Sequence, residues 1–104
     1  MIQIRYRWHV DPSNSEAFDE AWGRATHVIR RTRSGCYGSM LLRATDDPEG
    51  MVATAFWESE EAWRASKALG PADPRASAEM ATIAEVISVE VLEVVHDFYR
   101  PAGA

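Results

Sequence analysis

The chain reads as an α+β domain of order β-α-β-β-α-β whose second helical region is broken in two. That is the split βαβ or ferredoxin-like pattern, an antiparallel sheet with helices on one face. Three observations predict it. Residues 2–10 alternate strictly: Ile2, Ile4, Tyr6, Trp8 and Val10 point one way, and Gln3, Arg5, Arg7 and His9 the other, the period of a strand. Phe18, Trp22, Ala25 and Ile29 then recur at helical spacing. Further on, Phe56-Trp57-Glu58-Ser59-Glu60-Glu61-Ala62-Trp63 ends a strand on one tryptophan and carries another one turn into a helix.

Size and charge narrow the function before any motif is considered. With 104 residues, 46% of them hydrophobic and 26% charged, the sequence has the composition of one soluble domain. A net charge of −5 with scattered basic residues argues against nucleic acid as a partner, since phosphate binding wants a concentrated basic face. No apolar run approaches the roughly 20 residues that span a bilayer, and no signal-peptide pattern opens the chain. A single cysteine, Cys36, rules out an internal disulfide. The expected compartment is the cytoplasm, with no membrane association.

The elements follow in order. Asp11-Pro12 breaks the first strand, and Ser13 with Glu16 forms a capping box for a helix over about residues 14–33. Arg24, His27 and Arg31 lie away from that helix's apolar face. Gly35 is placed to turn left-handed past the helix end, and residues 39–45 read as the second strand. Asp46-Asp47-Pro48-Glu49-Gly50 has hairpin chemistry, Pro fixing φ early and Gly supplying a positive φ at the close. The third strand is residues 51–57, antiparallel to the second. Ser59 caps a short helix from Glu60 to about Leu69, which Gly70-Pro71 stops. Asp73-Pro74 starts another as N-cap and first helical residue, with Ala76, Met80 and Ile83 as its buried stripe. A final β-branched strand is expected over residues 87–99, with a bulge at Val94-Val95. Residues 1–100 thus form one domain and 101–104 a frayed tail.

Two sheet faces carry the functional reading. The third strand puts Val52, Thr54 and Phe56 on one face and Met51, Ala53, Ala55 and Trp57 on the other, and neither is clearly polar. A lone copy would leave apolar sheet in water, so a homodimer pairing sheet to sheet is expected, with Arg5, Arg7 and Glu90 forming ion pairs across strands or across the interface. On the other face, Ala53 and Ala55 remove volume beneath a large indole. Either Phe18, Trp22 and Ile29 fill the gap as core, or it is an apolar pocket walled by aromatics, the usual form of a small-molecule site.

At this point the residues resemble a family. The element order, Phe18 and Trp22 in the first helix, Gly35-Cys36-x-Gly38 leading into Met40-Leu41-Leu42-Arg43, and above all Phe56-Trp57-Glu58-Ser59-x-x-Ala62-Trp63 are similar to the antibiotic biosynthesis monooxygenase (ABM) superfamily over residues 2–98. The resemblance implies a dimeric α+β barrel of ferredoxin-like protomers. It also implies a range of activities: cofactor-free quinone-forming oxygenases, quinol oxygenases and haem-degrading enzymes. Trp57 stands at the strand-end Trp implicated in the quinone-forming members, and Trp63 where they have Tyr. Their Asn, four residues before the Trp, is Ala53, and their third-helix Arg is Ala81. The haem-degrading branch expects a Trp where Ser66 stands and a His in the third helix, which has none.

The resemblance therefore implies a cofactor-independent monooxygenase acting on a polycyclic phenol, anthrone or quinol-type aromatic, whose anion passes an electron to O₂ in a dry pocket. Trp57 is the candidate catalytic residue, donating its indole N–H to a substrate oxygen. Trp63, Trp22 and Phe18 are the candidate walls of the ring site, with Ala53 and Ala55 providing its space. No metal and no cofactor are expected: His9, His27 and His96 lie on separate elements with no ligand spacing, and no glycine-rich turn opens a helix after a strand. The base is not assigned; His9 qualifies only if its face turns inward. Two other readings use the same pocket: a non-catalytic small-molecule-binding dimer, and a polyketide cyclase or isomerase.

Overall fold

The structure is a computed structural model that describes residues 1–98. Its strands are β1 (Ile2–Val10), β2 (Cys36–Arg43), β3 (Gly50–Trp57) and β4 (Ala84–Glu93). Its helices are α1 (Ser15–Thr32), α2 (Glu60–Ala68) and α3 (Pro74–Ile83). The four strands form one sheet in the order β2-β3-β1-β4, with every neighbouring pair antiparallel. This is the ferredoxin-like α+β fold that the sequence predicts.

The alternation of β1 sets the two faces. Ile2, Ile4, Tyr6 and Trp8 lie opposite Trp57, Ala55, Ala53 and Met51 of β3, so these residues share the side covered by helices. The core there divides into two clusters. Ile4, Trp57 and Trp63 form one, with Tyr6 and Ile29 packed against it. Val10, Phe18 and Met51 form the other, flanked by Trp8, Trp22, Met80 and Ile83. Ala53 and Ala55 sit in the register between Met51 of one cluster and Trp57 of the other.

The opposite face carries Met40 and Leu42 of β2, both exposed, beside Val52 and Phe56 of β3. Its other half is charged. Arg7 Nε donates to Glu90 at 3.3 Å across to β4, Arg5 reaches Gln3 at 3.1 Å, and His9 Nε2 lies 3.0 Å from a Glu49 carboxylate oxygen. On the edge strand β4, Val86, Ile87, Val89 and Val91 are exposed.

Several local expectations are corrected. The Ser13–Glu16 capping box does not form. Asp11 instead accepts from Ser13 N at 2.9 Å and caps a 3₁₀ turn over Pro12–Asn14, so that α1 starts later, behind Asn14 with no side-chain cap. Strand β2 begins at Cys36 rather than residue 39, because a register shift between Cys36 and Gly38 lets pairing with β3 start inside the turn. Gly50 does not take a positive φ; only Gly35 and Gly70 do among the described residues. The hairpin closes instead through Gly50 N–H to Asp47 O at 3.0 Å, and Glu49 N–H donates to the Asp47 carboxylate at 3.0 Å. Strand β4 starts at Ala84, directly after α3, and ends at Glu93. The irregularity sits at Ile87, between the pairs Arg7–Ser88 and Trp8–Val86, not at Val94-Val95. Residue 99 and the tail expected at 101–104 lie outside the described residues.

Candidate functional site

The corner between β3 and α2 builds the site. Ser59 Oγ accepts from Ala62 N–H at 3.1 Å, and Glu60 and Glu61 occupy the first turn of α2, where the helix dipole favours acids. Glu58 N–H donates to Gly35 O at 2.8 Å, tying this corner to the turn after α1. Gly35 has φ +90°, and a Cβ there would lie 3.0 Å from Ala62 Cβ, so both its backbone and its lack of a side chain are required. The other end of α2 is held by Arg33, which donates to Ser66 O at 2.6 Å and Gly70 O at 3.0 Å. Thus α2 is fixed at both ends, and Trp63 projects from it onto the sheet.

Two adjoining hollows lie between the helices and the sheet, sharing Tyr6, Ile29, Trp57 and Trp63 as walls. The inner one, about 80 Å³, lies over Ala53 and Ala55 and is closed by Trp22, Thr26, Cys36 and Ser39. The outer one, about 390 Å³, runs past Ala25 to Ser66 and Lys67 on α2, the Gly70-Pro71-Ala72 loop and Ser77 on α3. Its size falls within the range of small-molecule sites. A third hollow of about 600 Å³ lies along α2 beside Arg33, Glu58, Glu61 and Leu69, and has no aromatic wall.

The aromatic walls carry the cavity's nitrogen and phenol donors. Trp63 Nε1 donates to Tyr6 Oη at 3.2 Å. Burial holds the Tyr6 phenol above its ordinary pKa, an effect that the Trp63 hydrogen bond partly offsets, so the phenol is protonated at neutral pH. Its own O–H has no acceptor among the described residues, and neither has the Trp57 indole N–H a partner. The Tyr6 ring is stacked on Trp8, with centroids 5.5 Å apart, which limits its swing. Lys67 Nζ lies 4.7 Å from the Trp63 ring centroid at the outer end. The cavity therefore offers aromatic walls, the Tyr6 and Trp57 donors, the small polar side chains of Thr26, Cys36 and Ser39 around the inner hollow, and the Lys67 cation at its mouth. Among the described residues, no group of three His, Cys, Asp or Glu side chains could hold a metal, and no helix is long and apolar enough to cross a membrane.

Most of the expected site residues meet here. Trp57 and Trp63, 4% and 5% exposed, wall both hollows. Trp22, Ala53 and Ala55 line the inner one. Phe18 does not: it is fully buried in the Val10–Met51 cluster, edge-on to Trp8 at 5.2 Å, because α1 has moved to the other end of the sheet one turn earlier. His9 stays on the face away from the helices, paired with Glu49, and His27 and His96 are exposed. Sequence reasoning left out Tyr6 and Lys67. Tyr6 is one apolar member of an alternating strand, and only the antiparallel register puts it opposite Ala53. Lys67 had a legible signal, since four residues after Trp63 it stands one turn above the indole.

Comparison with known proteins agrees with this fold. Residues 1–71 match the family model of the antibiotic biosynthesis monooxygenases. No curated protein matches the chain. Among solved structures, SnoaB, a cofactor-independent oxygenase from Streptomyces nogalater, superimposes with a TM-score of 0.75 at 19% identity, over 95% of this chain and 97% of that one. A protein from Deinococcus radiodurans, provisionally assigned to the antibiotic biosynthesis monooxygenases, gives 0.78 at 12% identity over 97% and 99%. Another with the same provisional assignment, from Nitrosomonas europaea, gives 0.73 at 18% identity over 92% and 100%. At these identities the likeness is one of fold.

Proposed function

Given that the chain belongs to the antibiotic biosynthesis monooxygenase family, we propose that it is a cofactor-independent monooxygenase that oxidises a polycyclic phenol, anthrone or quinol-type aromatic with O₂. The observation that carries this reading is the aromatic cavity, to which the Tyr6 O–H and the Trp57 N–H bring hydrogen-bond donors that have no acceptor among the described residues. Donors aimed at a ring oxygen favour the substrate's anion over its neutral form, and the anion is the species that can reduce O₂. For an anthrone, the anion gives one electron to O₂, the two radicals join as a peroxide, and water leaves. The ring CH₂ becomes C=O, one oxygen atom enters the product and the other departs in water. The protein's part is to orient the ring, stabilise the oxyanion and exclude bulk water.

The working unit in this reading is a homodimer. Met40, Leu42, Val52 and Phe56 give the face away from the helices an apolar half, and β4 leaves Val86, Ile87, Val89 and Val91 exposed. Apolar surface of this kind in a small domain is characteristic of an interface. Light scattering on a sizing column is expected to give twice the chain mass; a monomer at micromolar concentration contradicts this part.

One observation favours a second reading, in which the same dimer binds an aromatic without oxidising it. Among the described residues no His, Asp or Glu lines either chamber of the cavity, so none of them places a carboxylate or imidazole to take the substrate's proton. Isotopically labelled O₂ separates the two. Oxygenation places one labelled atom in the product with metal-free protein, whereas a binding protein returns the ligand unchanged.

A further inference from the structure

We propose that the substrate is an aromatic acid, and that Lys67 at the mouth of the outer hollow binds its carboxylate while the oxidisable ring lies inward against Trp57 and Tyr6. This rests on the reading of the cavity as the substrate site. Among the described residues Lys67 is the only charged side chain lining either chamber. It has no acidic partner among the described residues, although the chain carries 16 acidic residues against 11 basic ones and Arg7, Arg24, Arg43, Arg64 and Arg75 each pair with at least one. An ammonium group has three donors and no acceptor. The last turn of α2 and the face of Trp63 suit its charge without accepting those donors in the plane of the cavity.

The placement also gives the substrate an orientation. One indole touches both ends of the cavity: Trp63 donates through Nε1 to Tyr6 at the inner end and carries Lys67 over its ring at the outer end. A flat ligand beside that indole would meet neutral donors with its ring oxygen and a cation with its acid. A protein of net charge −5 repels anions at long range, so a lone cation at the cavity mouth acts as a local selector rather than as a general attractor.

The test is calorimetric titration of the metal-free protein with hydroxynaphthoic acid and with the matching naphthol, on the wild type, Lys67→Gln and Lys67→Arg. The acid is expected to bind the wild type roughly fivefold to tenfold more tightly than the naphthol, as a charge-assisted contact near a surface allows. In Lys67→Gln the ratio of the two dissociation constants is expected to fall toward one; in Lys67→Arg it should persist, and in concentrated salt it should shrink. An acid no tighter than the naphthol, or a preference that survives in Lys67→Gln, overturns the inference and leaves the oxygenase reading standing. If neither ligand binds, the cavity is not the substrate site, and both fall together.

Discussion

Substituting Ala53 by Val tests whether the inner hollow is empty space or core. Ala53 is 4% exposed, lies opposite Tyr6 on one side and Leu41 on the other, and lines the hollow of about 80 Å³ beneath Trp22. Valine adds two methyl groups, and each buried carbon contributes about 0.8 kcal/mol when it fills space that is already there. A β-branched residue also suits a central strand. After some loss of side-chain freedom, the expected gain is about 1 kcal/mol, which in a domain of this size raises the melting temperature by roughly 4–8 °C. A core already filled would respond in the opposite sense, since added methyls force off-rotamer side chains at a cost of about 1–3 kcal/mol. Differential scanning calorimetry reads the sign directly. The same variant is expected to bind naphthol at least tenfold more weakly, because the ring loses the space beneath the indole. A lower melting temperature with unchanged ligand affinity would refute the reasoning, since it would show a packed site with no role in binding.

Other consequences follow from single groups. Tyr6→Phe keeps the ring stacked on Trp8 but removes both the donor and the acceptor of the Trp63 N–H; a hydrogen bond to a charged oxygen is worth about 1.5–3 kcal/mol, so kcat/KM for oxidation is expected to fall roughly 10- to 150-fold, and the buried indole N–H left unpaired should lower the melting temperature at a cost of about 1–3 kcal/mol. The same phenol sets an alkaline limit. Its folded pKa is raised by burial, so its contribution is intact below the unfolded value of about 10 and is lost as pH rises toward the folded value; urea midpoints measured above pH 10 should decline less in Tyr6→Phe than in the wild type. Asp73→Ala removes the cap that accepts from Ala76 N–H at 3.0 Å and is expected to cost about 1 kcal/mol in chemical denaturation while leaving ligand binding intact. Gly35→Ala meets both a φ of +90° and Ala62 Cβ at 3.0 Å, and should lower the melting temperature by more than the Asp73 variant does.

Much of this architecture is legible in the residues, and what is not has identifiable causes. The strict alternation of Ile2 to Val10 marks β1 to the residue, and Ser59 and Asp73 mark both later helix starts, because an extended cap with a short acceptor side chain is a strictly local device. Boundaries fail where tertiary pairing decides. The start of β2 at Cys36 depends on its register with Trp57, and the start of β4 at Ala84 depends on pairing with Val10 of β1, neither of which is local information. Phe18 and Trp22 are one turn apart on the same side of α1, yet Phe18 is sealed inside the Val10 cluster while Trp22, at the edge of that cluster, also roofs the inner hollow. Tyr6 is invisible as a site residue for a similar reason: its partner Trp63 is 57 positions away, and only the fold brings its hydroxyl to the indole.

The central claim is that this cavity oxidises an aromatic with O₂ and no cofactor. Oxygen uptake tests it most directly, measured on metal-free protein with a panel of anthrones and hydroquinones beside a Trp57→Phe variant. The account expects uptake well above the autoxidation rate for at least one substrate, reduced about tenfold or more in the variant that loses the indole N–H. No uptake above autoxidation across the panel, or equal uptake by wild type and variant, would contradict it.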